Sequence, residues 1–341
     1  MKKPKLSDVA CRAGVSLATA SLALAGKGRI STEVREQVIT AAKTLGYRQR
    51  RHPSTAARPA TRYIGILHHH DKDYEWNFIR PILFNIETSL LQHNYTPVLI
   101  PVSAKLDVEA VFRQLIDTGV GAVFSIHFHD EQLFDRLEKR GTLVIIVNNS
   151  NLQNRFDSIC VDDFQGAYEG CLHLLKLGHR NILYLEYARP DLPAVIADRF
   201  IGFRKALEEN AIPFAADQRI TVRFMDRKEL TAKLKSAFAR QRRPTAVFAH
   251  DDYLAAYIYA ALQELGFKVP EQVSLIAPGD VLDYGEPYTP PITTMRINTS
   301  SLGILACRLL LDRLKGHIDD VHVLKLKQQL VKRGTCAKPA F

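Results

Sequence analysis

The sequence predicts a small all-α head followed by a larger α/β body made of two lobes with doubly wound parallel sheets. Three observations support this prediction. Residues 1–47 carry apolar positions at helical spacing, residues from 63 onward alternate apolar strands with amphipathic helices, and 341 residues exceed the length of one compact domain. We therefore expect a head at 1–47, a linker at 48–62 and a body at 63–341.

The head is predicted to contain three short helices, the first two joined by a tight turn. Gly14 supplies the backbone freedom for this turn. Ser16 is placed to cap a second helix that starts at Leu17, and Ser31 to cap a third helix that ends at Gly46. The first two helices therefore form a helix-turn-helix.

Positive charge is concentrated in the head and linker. Residues 1–62 hold thirteen Lys and Arg against three acids, and residues 63–341 hold 33 of each. A helical packing unit without a nucleic-acid role would not need this excess. The whole net charge of +10 thus lies on a helix-turn-helix, which indicates a surface that binds a phosphate backbone.

Three stretches of the head carry a family resemblance. They read D-V-A-x-x-A-G-V-S-x-A-T-A-S from Asp8 to Ser21, R-I-S-x-x-V-R-x-x-V from 29 to 38, and L-G-Y-R from 45 to 48. They follow one another without gaps, and together they resemble the head of the LacI family of bacterial transcription regulators. The resemblance implies a homodimer that binds double-stranded, near-palindromic operator DNA.

The resemblance also implies which head residues lie at DNA. They are Leu6, Ser16, Leu17, Ala18, Thr19, Ser21, Leu22, Arg29, Ser31 and Arg35. Leu22 stands where the family usually has an arginine that contacts guanine. A leucine side chain can touch a thymine methyl group but cannot donate to guanine, so we expect a different preferred half-site.

The linker matches the family in spacing and basic character but lacks one residue type. In the family this segment becomes a hinge helix on operator DNA and inserts a leucine into the minor groove. No leucine occurs between Arg48 and Tyr63. The wedge that would kink the DNA is therefore missing from the expected position.

The body is predicted to consist of repeated strand-helix units. Apolar runs predict strands at 63–67, 96–102, 122–126, 143–147, 182–185, 220–223, 246–250 and 273–277. Amphipathic spacing predicts helices at 78–93, 108–118, 131–140, 164–177, 199–210, 228–241 and 253–265. Such alternation favours parallel sheets covered by helices on both faces.

Further stretches of the body resemble the periplasmic-binding-protein-like (type I) effector domain of the same family. Examples are S-I-C-V-D-D-F-x-G-A at 158–167, P-T-A-V-F-A-H-D-D at 244–252 and T-P-P-I-T-T-M-R at 289–296. The resemblance implies a chain that crosses three times between lobes. We expect lobe one at about 63–161 and 292–321, and lobe two at about 162–291 and 322–335.

Ligands of such folds bind beyond the carboxyl ends of the strands, between the lobes. Residues at these ends are His69, Asp73, Trp76, Asn77, Ser125, Asn149, Arg199, Asp251 and Asp280. Carboxylates, amides and an arginine pair with hydroxyl groups, and an aromatic ring stacks on a sugar face, so we expect a carbohydrate effector. The first family aspartate after the last of these strands falls on Gly279, so one contact is expected to be lost or shifted.

The sequence favours no metal, no cofactor and no catalysis. The histidines at 68–70 alternate between faces of a strand, which is poor geometry for three ligands from one run. No motif for nucleophilic, phosphate-binding or metal-dependent chemistry is present. The five cysteines are scattered without a C-x-x-C pair, so we expect reduced thiols.

We therefore expect a cytoplasmic, homodimeric, ligand-responsive regulator that acts as a repressor. An activator or a nucleoside-responsive regulator of the same family remains an alternative. A periplasmic carrier would need a signal peptide and no basic head, and the sequence shows the opposite. An enzyme on this fold would have to show turnover of a sugar.

Overall fold

The computed structural model describes residues 6–24, 30–45, 62–69, 76–102, 107–188, 197–224, 226–317 and 320–340. They belong to two compact units, the helical head and the α/β body. Of the predicted linker, only Arg62 lies within the described residues.

The head contains three helices, α1 (Leu6–Arg12), α2 (Leu17–Leu24) and α3 (Thr32–Leu45). Its small core is formed by Val9, Ala10, Ala20, Ala23, Val38, Ala41 and Ala42. Gly14 has a φ of +65°, which explains a glycine at the turn between α1 and α2. Both predicted caps are confirmed, because Ser16 Oγ accepts from Thr19 N–H at 3.0 Å and Ser31 Oγ accepts from Val34 N–H at 3.3 Å.

The described part of the body contains twelve strands and eight α-helices. The strands are β1 (Tyr63–His69), β2 (Thr96–Val102), β3 (Ala122–Ile126), β4 (Leu143–Val147), β5 (Asp157–Val161), β6 (Ile182–Tyr187), β7 (Arg219–Val222), β8 (Ala246–Ala249), β9 (Ser274–Gly279), β10 (Thr293–Arg296), β11 (Val323–Leu326) and β12 (Gln329–Val331). The helices are α4 (Trp76–Gln92), α5 (Val108–Thr118), α6 (Glu131–Lys139), α7 (Asp163–Leu177), α8 (Ala197–Glu209), α9 (Arg227–Phe238), α10 (Asp252–Glu264) and α11 (Thr299–Leu314).

These strands form two six-stranded sheets, one in each lobe. The order in lobe one is β11-β5-β4-β3-β1-β2, and every pair is parallel. The order in lobe two is β12-β10-β9-β8-β6-β7, with only β12 antiparallel to its neighbour. Because the strands are parallel, the carboxyl ends of most strands of a sheet lie at one edge, which is where the sequence analysis placed the ligand residues.

Helices cover both faces of each sheet, so the predicted doubly wound arrangement is confirmed. In lobe one, α4 and α11 pack on one face, and α5 and α6 pack on the other. In lobe two, α9 and α10 share one core with the sheet, and α7 and α8 share the second. This double coverage explains why the central strands β3, β4, β8 and β9 are buried along their whole length.

The chain passes between the two sheets three times, but two of the predicted boundaries are wrong. The first passage follows β5, as the sequence indicated. The second follows β10 at 297–298 and not 292, because β10 pairs with β9 in lobe two. The third lies at 327–328, because β11 pairs with β5 in lobe one before β12 joins lobe two. β10, β11 and β12 have four residues or fewer and were not predicted, so the sequence offered no marker for these positions.

A buried ion pair joins three elements of lobe one. Arg313 Nε and Nη2 donate to the two carboxylate oxygens of Asp157 at 2.8 and 2.6 Å. The backbone N–H of His322 donates to the same carboxylate at 2.8 Å. This carboxylate on β5 therefore holds α11 and the segment that leads into β11.

We expect Arg313→Ala to lower the free energy of unfolding by about 3 kcal/mol, because the buried Asp157 carboxylate would lose its charged partner. Urea denaturation measures this loss. Arg308→Ala provides a matched control, since Arg308 lies on the same helix and is exposed. Equal losses in both variants would contradict a stabilising role for the pair.

Candidate ligand site and nucleic-acid interface

Helix α2 of the head turns a largely uncharged face toward solvent. Leu17 is 55% exposed and Leu22 is 43% exposed, and Ala18 lies on the same exposed side. Ala20 and Ala23 are buried against the other head helices. The structure therefore leaves the proposed base-reading positions accessible, and the basic residues of the head lie outside this helix.

The other predicted DNA-contact residues occupy several environments. Ser16 and Ser31 are exposed but already cap helices, and Thr19 Oγ1 lies 2.8 Å from Ser16 Oγ. The half-buried ones are Leu6, Thr19, Ser21 and Arg35. Leu6 packs against the head core, so it contributes to the packing of the head. Arg29 lies outside the described residues.

In the body, a hydrogen bond between lobes locates the facing edges of the two sheets. Asn77 Nδ2 donates to Tyr253 Oη at 2.8 Å. Asn77 lies in the first turn of α4, which follows β1, and Tyr253 lies in the first turn of α10, which follows β8. The carboxyl edges of both sheets therefore meet here, and the exposed Trp76 stands next to the contact.

The lobe-one rim is formed by residues with unusual backbone conformations. His127 and Asn148, which follow β3 and β4, have φ values of +59° and +54°. Their side chains lie 2.8 Å apart, from His127 Nε2 to Asn148 Nδ2, and the His127 ring packs against Phe78 with centroids 5.1 Å apart. Non-glycine residues in this region are uncommon and cluster at binding sites, so this half-buried pair belongs to the candidate site.

Two predicted ligand residues of lobe one instead support these turns from inside. Ser125 is fully buried, and its hydroxyl donates to the Phe128 carbonyl at 2.8 Å. Asn149 is also fully buried and donates to the His127 carbonyl at 3.2 Å. The sequence placed Ser125 and Asn149 at the strand ends but could not show that they face inward. Asp73 and the His69 side chain lie outside what the structure describes.

Arg199 is buried in lobe two and is held by two partners. Its Nε donates to Asp163 Oδ1 at 2.8 Å, and its Nη1 donates to the His250 carbonyl at 2.7 Å. Burial raises the pKa of the Asp163 carboxyl, and the charge of Arg199 opposes that rise without cancelling it. Nη2 of Arg199 has no hydrogen-bond partner among the described residues, so one end of the guanidinium remains available to a ligand.

Of the neighbouring acids Asp251 and Asp252, only Asp251 was among the predicted ligand residues. Asp251 caps α10 through Leu254 N–H at 2.7 Å. Asp252 is fully buried, and its Oδ2 accepts the backbone N–H groups of residues 280, 281 and 282 at 3.0, 2.8 and 3.1 Å. Burial, together with the nearby charge of Asp251, raises the pKa of Asp252 to about 6. Asp252 therefore organises the loop after β9.

Gly279 leaves the space that the Asp252 carboxylate occupies. A Cβ at position 279 would overlap Asp252 Oδ1, and the φ of +135° at this position also favours glycine. Gly279 thus lacks the aspartate side chain expected from the family, and the Asp252 carboxylate of α10 occupies the same space.

Asp280 is the most heavily paired of the predicted ligand residues. Its carboxylate accepts from Arg296, Arg333 and Thr294, the last at 3.0 Å. Burial alone would raise the pKa of Asp280, but the two arginines outweigh it and hold this pKa below its ordinary value. A ligand would have to compete with both arginines for this carboxylate.

The described residues form neither a metal-binding cluster nor a membrane-spanning helix. No group of three or more His, Cys, Asp or Glu side chains in the described part of the chain is arranged to hold a metal ion. None of the described helices has both the length and the apolar character that a membrane span needs. All five cysteines are free thiols.

Two family models match this chain. Residues 5–49 match the model of bacterial regulatory proteins of the lacI family. Residues 171–336 match the periplasmic binding protein-like domain. The first covers the described helices of the head, and the second covers most of lobe two together with α11.

Curated relatives align along nearly the whole chain. The HTH-type transcriptional repressor PurR of Edwardsiella ictaluri (strain 93-146) is 28% identical over 344 residues, which covers 98% of each protein. PurR of Vibrio parahaemolyticus is 28% identical over 341 residues, with the same coverage.

Solved structures of similar proteins have the same architecture. A LacI family regulator from Enterococcus faecium with bound ribose has a TM-score of 0.66 and 26% identity, over 81% of this chain and 99% of its own. The Lac repressor dimer bound to operator and the anti-inducer ONPF has a TM-score of 0.68, over 98% and 100% of the two chains. The regulator CelR with cellobiose has a TM-score of 0.70, over 97% and 99%. The last two are 24% and 23% identical to this chain and show the fold alone.

The raised pKa of Asp252 predicts a pH-dependent contribution to stability. The native state holds this proton more tightly than the unfolded chain, in which the pKa is near 3.8. The contribution is therefore full below pH 3.8 and is lost as the pH rises through about 6. Asp252→Asn mimics the protonated form, so we expect the wild-type minus variant difference in unfolding free energy to fall by about 2–3 kcal/mol over this range.

Urea denaturation of both proteins between pH 4 and 7.5 measures this difference. Asp283→Asn controls for the loss of one carboxyl group from the same loop, since Asp283 is exposed. A wild-type minus Asp252→Asn difference that does not change with pH would show that the carboxyl has an ordinary pKa.

Proposed function

We infer from these matches that the chain belongs to the LacI family of bacterial transcription regulators, whose members bind operator DNA and small effectors as dimers. We propose a cytoplasmic homodimeric repressor whose operator affinity is controlled by a small carbohydrate bound between the lobes. The family is one of transcriptional regulators and not of enzymes. Repression is supported by the curated relatives, which are named as repressors.

The observation that carries the effector site is the environment of Arg199. This guanidinium is buried at the carboxyl edge of the lobe-two sheet, and one of its nitrogens has no hydrogen-bond partner among the described residues. At the facing edge of lobe one, Asn77 contacts Tyr253 of lobe two, and the exposed Trp76 precedes it in the chain. An arginine, an amide and an indole ring are suited to the hydroxyl groups and the apolar face of a sugar.

One observation favours a second class of effector. Phe78 and His127 form a ring pair with centroids 5.1 Å apart on the lobe-one rim. Such a surface also suits a planar base, and the side chains of His127 and Asn148 offer polar groups to the edge of that base. A nucleoside effector is therefore the alternative within the same site.

The proposed mechanism is a shift between two lobe angles. A ligand that contacts both lobes stabilises the angle at which its contacts are complete. We propose that dimer contacts of lobe one transmit this angle to the two heads, because α4 exposes Phe84 and Leu91 at 64% and 61%. The two heads must match two operator half-sites, so head spacing controls DNA affinity.

Selection of bound duplexes from random DNA tests the proposal, with and without a panel of sugars and nucleosides. We expect a near-palindromic motif whose binding weakens as salt is raised, and one ligand class that alters its recovery. Failure to retain any duplex at low salt would refute the DNA-binding role. Recovery that responds to nucleosides but not sugars would replace the proposed effector class with the alternative.

Arg199→Ala should abolish the response to the active ligand while leaving DNA binding without ligand intact, because Arg199 lies in the body and not in the head. The response is measured as the change in DNA affinity on addition of that ligand. Arg204→Ala is the matched control, since Arg204 is exposed on the same helix. An unchanged ligand affinity in Arg199→Ala would remove Arg199 from the site.

Leu22→Arg should shift base preference toward guanine at one position of each half-site, because arginine donates to guanine O6 and N7 and leucine cannot. Repeating the DNA selection with the variant measures this shift. Ile39→Arg adds the same charge at an exposed apolar position of α3 and should not change the selected motif. An identical motif for Leu22→Arg and wild type would place Leu22 away from the bases.

A further inference from the structure

One buried carboxylate oxygen joins the proposed effector arginine to a passage between the lobes. Asp163 Oδ1 accepts from Arg199 Nε at 2.8 Å and from Gln328 Nε2 at 3.1 Å. Asp163 is 2% exposed and Gln328 is 3% exposed, so water does not compete for these bonds. Gln328 lies between β11 and β12, in the third passage between the sheets.

Gln328 is also fixed to the first passage. Its backbone N–H donates to Gln165 Oε1 at 2.9 Å, and the N–H of Asp162 donates to the Leu326 carbonyl at 2.8 Å. Any side chain at Gly166 would overlap the Gln328 amide, so the close approach of these segments requires a glycine there. The first and third passages are therefore joined by hydrogen bonds, and Asp163 lies where they meet.

We propose that Asp163 is a positioning residue that orients Arg199 for the effector and relays effector binding through Gln328 to the first and third passages. This inference rests on the proposed function, in which Arg199 binds the effector. It adds a route by which that binding changes the lobe angle.

The physical basis is competition for one oxygen atom. A ligand that accepts from Arg199 draws the guanidinium charge away from Asp163 and weakens their hydrogen bond. Asp163 Oδ1 then interacts more strongly with Gln328 Nε2, which shifts the balance between two positions of the passages. Gln328 Oε1 is buried without a hydrogen-bond partner among the described residues, so it does not hold the amide against such a shift.

Hydrogen exchange of the ligand-free protein tests the relay without any effector. Arg199→Met removes the guanidinium but changes no residue of the passages. We expect amide exchange in residues 326–331 to become about tenfold slower, because the freed Asp163 Oδ1 binds Gln328 more strongly, while β7, at the far edge of the same sheet, is unchanged. Unchanged or faster exchange at 326–331 overturns the relay, and an equal change in β7 shows an effect on the whole sheet and also overturns it.

The second test measures how ligand and DNA affinities are coupled in the full-length dimer. The probes are D-ribose and adenosine, each titrated with and without a duplex from the DNA selection. Gln328→Ala should lower the coupling factor, the ratio of probe Kd with and without DNA, by about tenfold. Its probe Kd without DNA should stay within about threefold of wild type, because Gln328 is not placed at the ligand.

Matched variants separate the relay from a structural effect. Gln329→Ala removes the neighbouring, exposed amide and should leave the coupling factor unchanged. Asp163→Asn should weaken both probe affinity and coupling, whereas Glu169→Gln, at an exposed acid of the same helix, should affect neither. If Asp163→Asn fails to fold, Gln328→Ala decides. If neither probe binds, hydrogen exchange decides.

The results also distinguish this inference from the proposed function. Loss of probe binding in Arg199→Ala with normal coupling in Gln328→Ala refutes the relay and retains the effector site. Normal probe binding in Arg199→Ala refutes the effector site itself.

Discussion

The chain passes three times between the sheets of the two lobes, and these passages constrain how the lobes can be arranged. Because both lobes are built from segments that are distant in sequence, neither lobe is a continuous piece of chain. The passages bring Asp162, Gln328 and Ile297 close to the boundary between the lobes. Any change in lobe angle must therefore pass through these short segments, and their hydrogen bonds determine which angles are stable.

Buried charge is used in each lobe to hold such segments in place. Asp157 pairs with Arg313 in lobe one, and Asp163 pairs with Arg199 in lobe two. Burying an unpaired carboxylate costs free energy of folding, so Asp157 and Asp163 each require their arginine partner. Asp252 instead accepts backbone N–H groups, which stabilise a carboxylate less completely and leave its pKa raised.

Charge is divided between the two units of the chain in a way that suits two separate tasks. The head and linker hold the whole positive excess, which favours attachment to phosphates of any sequence. The outward face of α2 is uncharged, so the base contacts proposed for it would depend on shape and apolar contact. The body has no net charge, and its buried arginines Arg199 and Arg313 are each paired with a carboxylate.

The sequence by itself determined the fold class, the basic head and most element boundaries. Periodicity located 96–102, 108–118, 122–126 and 143–147 to the residue, because amphipathic spacing and apolar runs are local properties. It missed the strands β5, β10, β11 and β12, since strands of three to five residues carry little periodic signal, and it also missed the 16-residue helix α11. Only the tertiary structure decided that Ser125 and Asn149 face inward, that Asp252 occupies the space beside Gly279, and that Asp163 joins Arg199 to Gln328. These contacts link residues from 3 to 165 positions apart, and their geometry depends on strand order, which no local pattern specifies.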